Sequence, residues 1–348
     1  MQMNFKAGGY KAQAFYVLWV LENYSNENKK LKQSDIVKYI RENGHDADRK
    51  SVGRDLLLLK DIGFNVHGVG EQLDDNGNEI PMQRGKIWLE RDVSDEKLQM
   101  LIDNVLFSSY LGKNDAKELI AYLISQGGEK LKAKSAASRL NGSNIFHQDN
   151  VEFFKELRKI KEAMIEVKGV SKKISFKYAK YKYKDGKVVL EPERKHFVSP
   201  YFFVSKKGNY YLVGYNHEKE CLWHYRLDYV RNVEILNENA KSKYETELKG
   251  KTICQYVAEH PYMFSGSVEG VEARLPSNRL GIVIDTFGSS YRHVGEQNGY
   301  STVRIYCSEN DAFHWAMQYG THVEVLSPKP LRDAIRTHVK DMMARYSA

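Results

Sequence analysis

Tyrosine and arginine are interleaved with small and apolar residues in two neighbouring stretches, Gly208-Asn-Tyr-Tyr-Leu-Val-Gly-Tyr215 and His224-Tyr-Arg-Leu-Asp228, and Arg231 follows closely. A guanidinium presents a planar fork of donors that fits a phosphate, and a tyrosine ring offers a flat face on which a base can stack. Lys168 to Asn237 holds 15 Lys and Arg against 7 Asp and Glu, a surplus of eight that equals the net charge of the whole 348-residue chain. Nine of the 23 tyrosines fall in the same stretch. Cations among flat polar rings imply an anionic partner, and the rings narrow it to a nucleotide or nucleic acid. A second candidate group is the run Asp48-Arg-Lys-Ser-Val-Gly-Arg-Asp-Leu56, where Arg49, Lys50, Ser51 and Arg54 precede four leucines, Leu56 to Leu59. As a helix, this run has a cationic half able to enter a major groove and an apolar half that must be buried.

Elements that would hold these residues can be read from periodicity. Ala12 to Asn23 sets Phe15, Leu18, Trp19 and Glu22 at helical spacing, with Val17, Val20 and Leu21 widening the stripe. Ser34 is the expected cap of a second helix with Ile36, Val37 and Ile40 inward, ended by Asn43-Gly44; Asp46 or Asp48 caps the third. Two short segments, Asn65 to Gly70 and Lys86 to Glu90, flank a turn-rich stretch with Asn76-Gly77, a hairpin signal, and Arg84 and Lys86 add cations there. Residues 1–92 carry 14 basic and 14 acidic residues, but six of the acids lie in or just after the hairpin, which leaves the third helix locally cationic. Helices are expected from Ser94 to Tyr110, Ala116 to Leu131 and Val151 to Val167. From Lys172 the period drops to two, and strands are expected at Ile174 to Tyr178, Arg194 to Val204, Tyr210 to Tyr215, Leu222 to Leu227 and Val230 to Leu236, with a hairpin at Asp185-Gly186. Five short strands suggest a small barrel.

Three resemblances follow from these residues. Asp48 to Leu56 is similar to the third helix of DeoR-like winged helices, which makes Ser34, Arg49, Lys50, Ser51, Arg54, Arg84 and Lys86 the expected contacts to a double-stranded DNA operator. Tyr210-Tyr211-Leu212 followed by Tyr225-Arg226-Leu227-Asp228 resembles the WYL domain, although Tyr stands for the first Trp and Tyr229-Val230 for the usual Arg-Ile. That resemblance implies an Sm-like five-stranded barrel that senses a nucleotide or single-stranded nucleic-acid effector, with Ser199, Tyr201, Tyr211, His224, Arg226 and Arg231 as its ligands. The run Val325-Leu-Ser-Pro-Lys-Pro-Leu-Arg332 resembles the C-terminal WCX-type extension that follows WYL domains, and implies dimer contacts with Arg304 and Arg332 as further candidates. The C-terminal third itself reads as strands at Gly270 to Leu275, Ser301 to Cys307 and His322 to Leu326, and helices at Leu280 to Phe287, Glu309 to Tyr319 and Pro330 to Tyr346.

The expected fold is therefore α+β and multidomain: a winged helix-turn-helix at 1–92, a helical connector at 93–167 that could also dimerise, the WYL barrel at 168–237 and an α+β extension at 238–348. No P-loop, G-x-S-x-G or H-E-x-x-H motif occurs, and Cys221, Cys254 and Cys307 form no C-x-x-C pair, so no catalytic residue, cofactor or metal is expected. No secretory start or apolar run of membrane-spanning length is present, so a cytoplasmic chain with no membrane partner is expected. The functional expectation is a homodimeric transcriptional regulator, a repressor by default, of the kind WYL proteins supply to phage defence and DNA damage responses. The alternative is an accessory protein of a defence or repair system that grips RNA or single-stranded DNA.

Overall fold

The computed structural model describes residues 12–73, 79–82, 86–91, 93–127, 152–167, 169–288 and 290–347. Arg84, the Asn76-Gly77 turn, the expected helical residues up to Leu131 and the loop at Asn141 to Ser143 lie outside them. Two compact units result: Met1–Ser108 with Lys113–Phe146, and Ser109–Gly112 with His147–Ala348.

In the first unit, α1 (Gln13–Tyr24), α2 (Gln33–Glu42) and α3 (Arg49–Asp61) enclose a core of Val17, Val20, Leu21, Ile36, Ile40, Val52 and Leu56. Strands β1 (Val66–His67) and β4 (Trp88–Leu89) pair antiparallel, as do β2 (Val69–Leu73) and β3 (Glu79–Met82), and Leu31 bridges to Ile87. The buried face of α1 is Tyr16, Val17, Val20 and Leu21, rotated from the expected one, and Phe15 is 71% exposed. Four successive leucines turn through a full helical circle, so only Leu56 and Leu59 reach the core while Leu57 and Leu58 face outward. Asp48, not Asp46, caps α3 by accepting the Lys50 and Ser51 amides at 2.7 and 3.0 Å. Ser34 does not cap α2; it lies in the first turn, and Asp35 accepts the Lys32 amide at 2.8 Å. Helices α4 (Asp95–Leu106) and α5 (Lys113–Ser125) pack through Leu98, Ile102, Leu106 and Ile120 within this unit. The expected connector is thus divided, because α6 (Phe153–Met164) belongs to the second unit.

The second unit begins with a five-stranded antiparallel sheet in the order β8-β7-β6-β5-β9, made of β5 (Lys172–Lys184), β6 (Lys187–Lys206), β7 (Asn209–Asn216), β8 (Cys221–Arg226) and β9 (Val230–Asn239). Strand β6 is 20 residues long and pairs first with β5, then with β7. The register shifts between Pro200 and Phe202, where the missing proline amide interrupts the ladder. Gly214 faces that shift; a Cβ there would lie 2.5 Å from Val198 Cγ1 and 2.8 Å from the Ser199 carbonyl oxygen. Among the described residues no ladder joins β8 to β9, so the hydrogen bonding stops short of the closed barrel expected from sequence.

A linker with the short helix α7 (Ile253–Ala258) leads to a second sheet, β11-β12-β10-β13, formed by β10 (Val268–Pro276), β11 (Tyr291–Gln297), β12 (Tyr300–Ser308) and β13 (Glu324–Ser327). With α8 (Gly281–Phe287), α9 (Glu309–Gln318) and α10 (Lys329–Tyr346), the chain follows a β-α-β-β-α-β path in which β12 inserts between β10 and β11. Val271, Ala273, Leu275, Val303, Ile305 and Cys307 bury one face of this sheet against Phe287, Trp315 and Leu331.

Candidate functional site

The cationic half of α3 is set by its cap. With Asp48 holding the first turn, Arg49 and Lys50 are exposed, and Arg54 follows Lys50 by four residues on the same side. None of the three has an acidic partner within ion-pair distance among the described residues. The neighbouring cations of α2 are committed: Lys38 meets Glu42 at 3.7 Å, and Arg41 meets Asp46 at 3.6 Å and donates to the Ala47 carbonyl at 3.0 Å. A concavity of about 470 Å³ runs between the two helices, lined by Ser34, Lys38, Arg41, Asp48 and Arg49. The side chain of Gln33 donates to the Arg49 carbonyl and ties the helix starts together. Ser51 corrects the expectation: it is buried, its hydroxyl takes the Gln13 amide at 2.7 Å and donates to the Asp48 carbonyl at 3.0 Å, and it is withdrawn from the outward set. Lys86 is exposed.

In the second unit, Tyr211 on β7 stands directly opposite Arg226 on β8. Arg226 forks onto Asp228, Nε to Oδ1 at 3.1 Å and Nη2 to Oδ2 at 2.7 Å. Asp228 is fully buried, whereas the Arg226 side chain keeps 27% of its surface. Burial disfavours the guanidinium's charge, but the Asp228 carboxylate more than offsets this and holds its pKa above the ordinary arginine value. The Tyr229 ring lies 4.3 Å from the guanidinium carbon and meets Tyr178 and Tyr181 edge-on. The Tyr178 hydroxyl accepts the Arg226 amide at 3.1 Å. Arg231 closes the turn, with Nη1 donating to the Asp228 and Val230 carbonyls at 2.8 Å each. Arg226 Nη1 is left without a protein acceptor among the described residues. The result is a partly exposed cation framed by tyrosine rings, able to offer a donor edge to a phosphate whose attached base can stack on a ring.

Three expected ligands do not belong to this edge. His224 is buried, with Nδ1 at 2.9 Å from the Met263 carbonyl and Nε2 at 2.9 Å from the Tyr256 hydroxyl; burial and neighbouring His260 push its pKa down to about 3. It therefore supplies no charge to an anion. Ser199 is fully buried, accepting the Lys241 amide at 2.8 Å and bonding His217 Nε2 at 2.8 Å. Tyr201 donates to the Lys241 carbonyl at 3.0 Å and packs on the core under the linker. Asp228 and Tyr229 flank Arg226 instead, with Tyr181 edge-on to Tyr229. The alternation of Tyr181, Tyr183 and the lysines along β5 was the available signal, and three of those lysines, Lys180, Lys182 and Lys184, pair with Glu191 and Glu193 across the hairpin.

Residues 156–235 match the WYL domain, and residues 268–343 match the WCX domain. No curated protein matches the chain. Among solved structures it is similar to proteasome accessory factor B/C (PafBC) of Arthrobacter aurescens, at 16% identity over 94% of this chain and 46% of that one, with a TM-score of 0.26. The chain thus spans about half the length of that protein. It is also similar to a CRISPR Cas-related protein, at 13% identity over 97% of this chain and 82% of the other, with a TM-score of 0.36.

Proposed function

We propose that this chain, which carries a WYL domain followed by a WCX domain, is a DNA-binding transcriptional regulator. In this reading the first unit is a winged helix-turn-helix whose α3 enters the major groove of an operator, and the WYL sheet takes a nucleotide or single-stranded nucleic-acid effector at Arg226, Tyr211 and Tyr229. The observation that carries it is the solvent-facing cluster of Arg49, Lys50 and Arg54, none of them in an ion pair among the described residues, on the first turns of a helix anchored by Val52, Leu56 and Leu59. Phosphate contacts from such a cluster give affinity, and base-edge contacts from the same arginines give sequence preference. The protein acts in the cytoplasm as a homodimer on a near-palindromic site, with repression as its resting activity. No helix among the described residues is long and apolar enough to cross a membrane.

A second reading, an accessory protein that grips RNA or single-stranded DNA, is favoured by the exposed rings of Tyr181 and Tyr183 on the lysine-rich β5–β6 arm. Selection of duplexes from a random pool, followed by footprinting of the selected site, separates the two. The regulator reading expects a protected site that the Arg49→Ala, Lys50→Ala, Arg54→Ala triple variant loses and Arg226→Ala keeps in the absence of effector. Duplex binding that survives the triple variant, with single-strand binding lost on Arg226→Ala, overturns it in favour of the accessory reading.

A further inference from the structure

We infer that the open face of the C-terminal sheet binds single-stranded nucleic acid. This surface contains neither α3 nor Arg226, so the inference goes beyond the function proposed above. The side-chain period of two sends Val271, Ala273, Leu275, Val303, Ile305 and Cys307 into the helix-covered core, and sends their alternates to the other side. On the two central strands those alternates include Tyr300, Arg304 and Tyr306 of β12 and Gly270 and Arg274 of β10. Tyr300 is 48% exposed and Tyr306 39%.

The chemistry of this face is specific. Its arginines are Arg274, Arg304 and Arg292 of β11, joined by Arg332 at the start of α10; its acids are Glu272 and Glu324. Arg274 meets Glu324 at 2.7 Å, Arg332 meets Glu324 at 3.0 Å and Arg304 meets Glu272 at 3.3 Å. Arg292 stands opposite Arg304 in the ladder and has no acidic partner among the described residues. Four guanidinium groups against two carboxylates leave a cationic surface, and exposed pairs of this kind hold their partners weakly enough for a phosphate to compete. Gly270 faces Tyr306 across the ladder, and a Cβ there would come within 3.6 Å of its ring and 3.5 Å of Arg304 Nε. The Tyr306 ring and the Arg304 side chain thus lie side by side over the glycine on this face. At a rise of about 3.4 Å per residue, Tyr300 and Tyr306 stand roughly 20 Å apart along one strand, with Arg304 between them. Stacking rings separated by a cation on the central strands of a four-stranded sheet suit unstacked bases joined by phosphates; a duplex keeps its bases stacked on each other and offers such rings nothing.

The test uses the full chain and fluorescently labelled oligothymidine and oligouridine of about 12 nucleotides, within the site sizes such platforms take. Binding is followed by anisotropy in wild type, Tyr306→Ala, Tyr300→Ala with Tyr306→Ala, Arg292→Ala and Arg226→Ala, with circular dichroism confirming that each folds. The inference expects about fivefold weaker binding for Tyr306→Ala and a larger loss for the double variant, in line with the stacking worth of one and two bases. Arg292→Ala is expected to flatten the salt dependence by nearly one phosphate contact. Preference for either oligonucleotide supports the inference and identifies the source as DNA or RNA. Absence of single-strand binding overturns it, as does binding unaltered in the tyrosine variants. A change of oligomeric mass in those variants with oligonucleotide affinity intact marks the face as a subunit contact and also overturns it. Loss confined to Arg226→Ala overturns this inference while leaving the WYL effector site standing, and duplex binding through α3 is unaffected by either failure.

Discussion

The burial of His224 makes stability depend on pH in a direction the sequence alone does not suggest. In the folded chain both ring nitrogens are engaged, by the Met263 carbonyl and the Tyr256 hydroxyl, and the pKa sits at about 3 against an ordinary 6.5. The unfolded chain takes up a proton as pH falls through 6.5 and the folded chain does not, so the stability due to a neutral His224 is present above that pH and is lost as pH falls toward 3. Between pH 7 and pH 5 the unfolded state gains about 1.4 pH units' worth of extra protonation, or about 2 kcal/mol. The assay is urea denaturation followed by tryptophan fluorescence at both pH values, for wild type and His224→Gln. Gln keeps a donor and an acceptor but does not titrate. Wild type should lose about 2 kcal/mol more than His224→Gln between the two pH values. Identical losses in the two proteins would refute the claim that a buried neutral imidazole joins this strand to the linker.

The Arg49→Ala, Lys50→Ala, Arg54→Ala variant should weaken duplex binding at least tenfold and reduce the slope of log affinity against log salt by up to about three, read by anisotropy over a salt series. Gly214→Ala drives a methyl into Val198 and the Ser199 carbonyl and should cost about 1–3 kcal/mol in urea unfolding, whereas Gly281→Ala, with nothing within 4 Å, should cost nothing. Arg226→Met removes the fork from the fully buried Asp228 carboxylate and should cost about 1–3 kcal/mol in urea unfolding. Asp228→Asn leaves a guanidinium that solvent still touches and should cost less; the double variant should recover part of the loss, and a denaturation cycle on the three proteins measures the coupling.

Turn chemistry carried the fold furthest. Asp185-Gly186 takes φ values of 49° and 77°, the paired left-handed residues that join twisted strands in a two-residue hairpin. Asn298-Gly299 does the same at 52° and 76°, yet strand β11 before it carries no period-two signal in sequence. The reason is that Tyr291–Gln297 is an exposed edge strand with no buried face, so its apolar residues do not alternate and only pairing with β12 makes it a strand. Helix α7 is six residues long, too short for periodicity to register, and the Thr252 to Gln255 capping box is its one local signature. The outward Leu57 and Leu58 show the opposite error, in which composition suggested burial and helical geometry denied it.

The mixed fate of the expected effector ligands has one physical cause. Tyr211, Val213 and Tyr215 on β7, with Leu222, His224 and Arg226 on β8, share one side of the sheet by strand alternation, and nothing in their sequence distinguishes one end of that side from the other. The distinction comes from the linker: Leu248, Tyr256 and Met263 pack on Val213, Tyr215 and Leu222, turning that end into core, while the Tyr211 and Arg226 end keeps its access to solvent. The same linker is held from the C-terminal domain, because the buried Asp311 accepts the Tyr262 amide at 2.7 Å, and from the β6–β7 turn, because Lys207 lies 3.2 Å over the Tyr262 ring. The loop from His260 to Phe264 is therefore bonded to His224 on one side and to the first turn of α9 on the other.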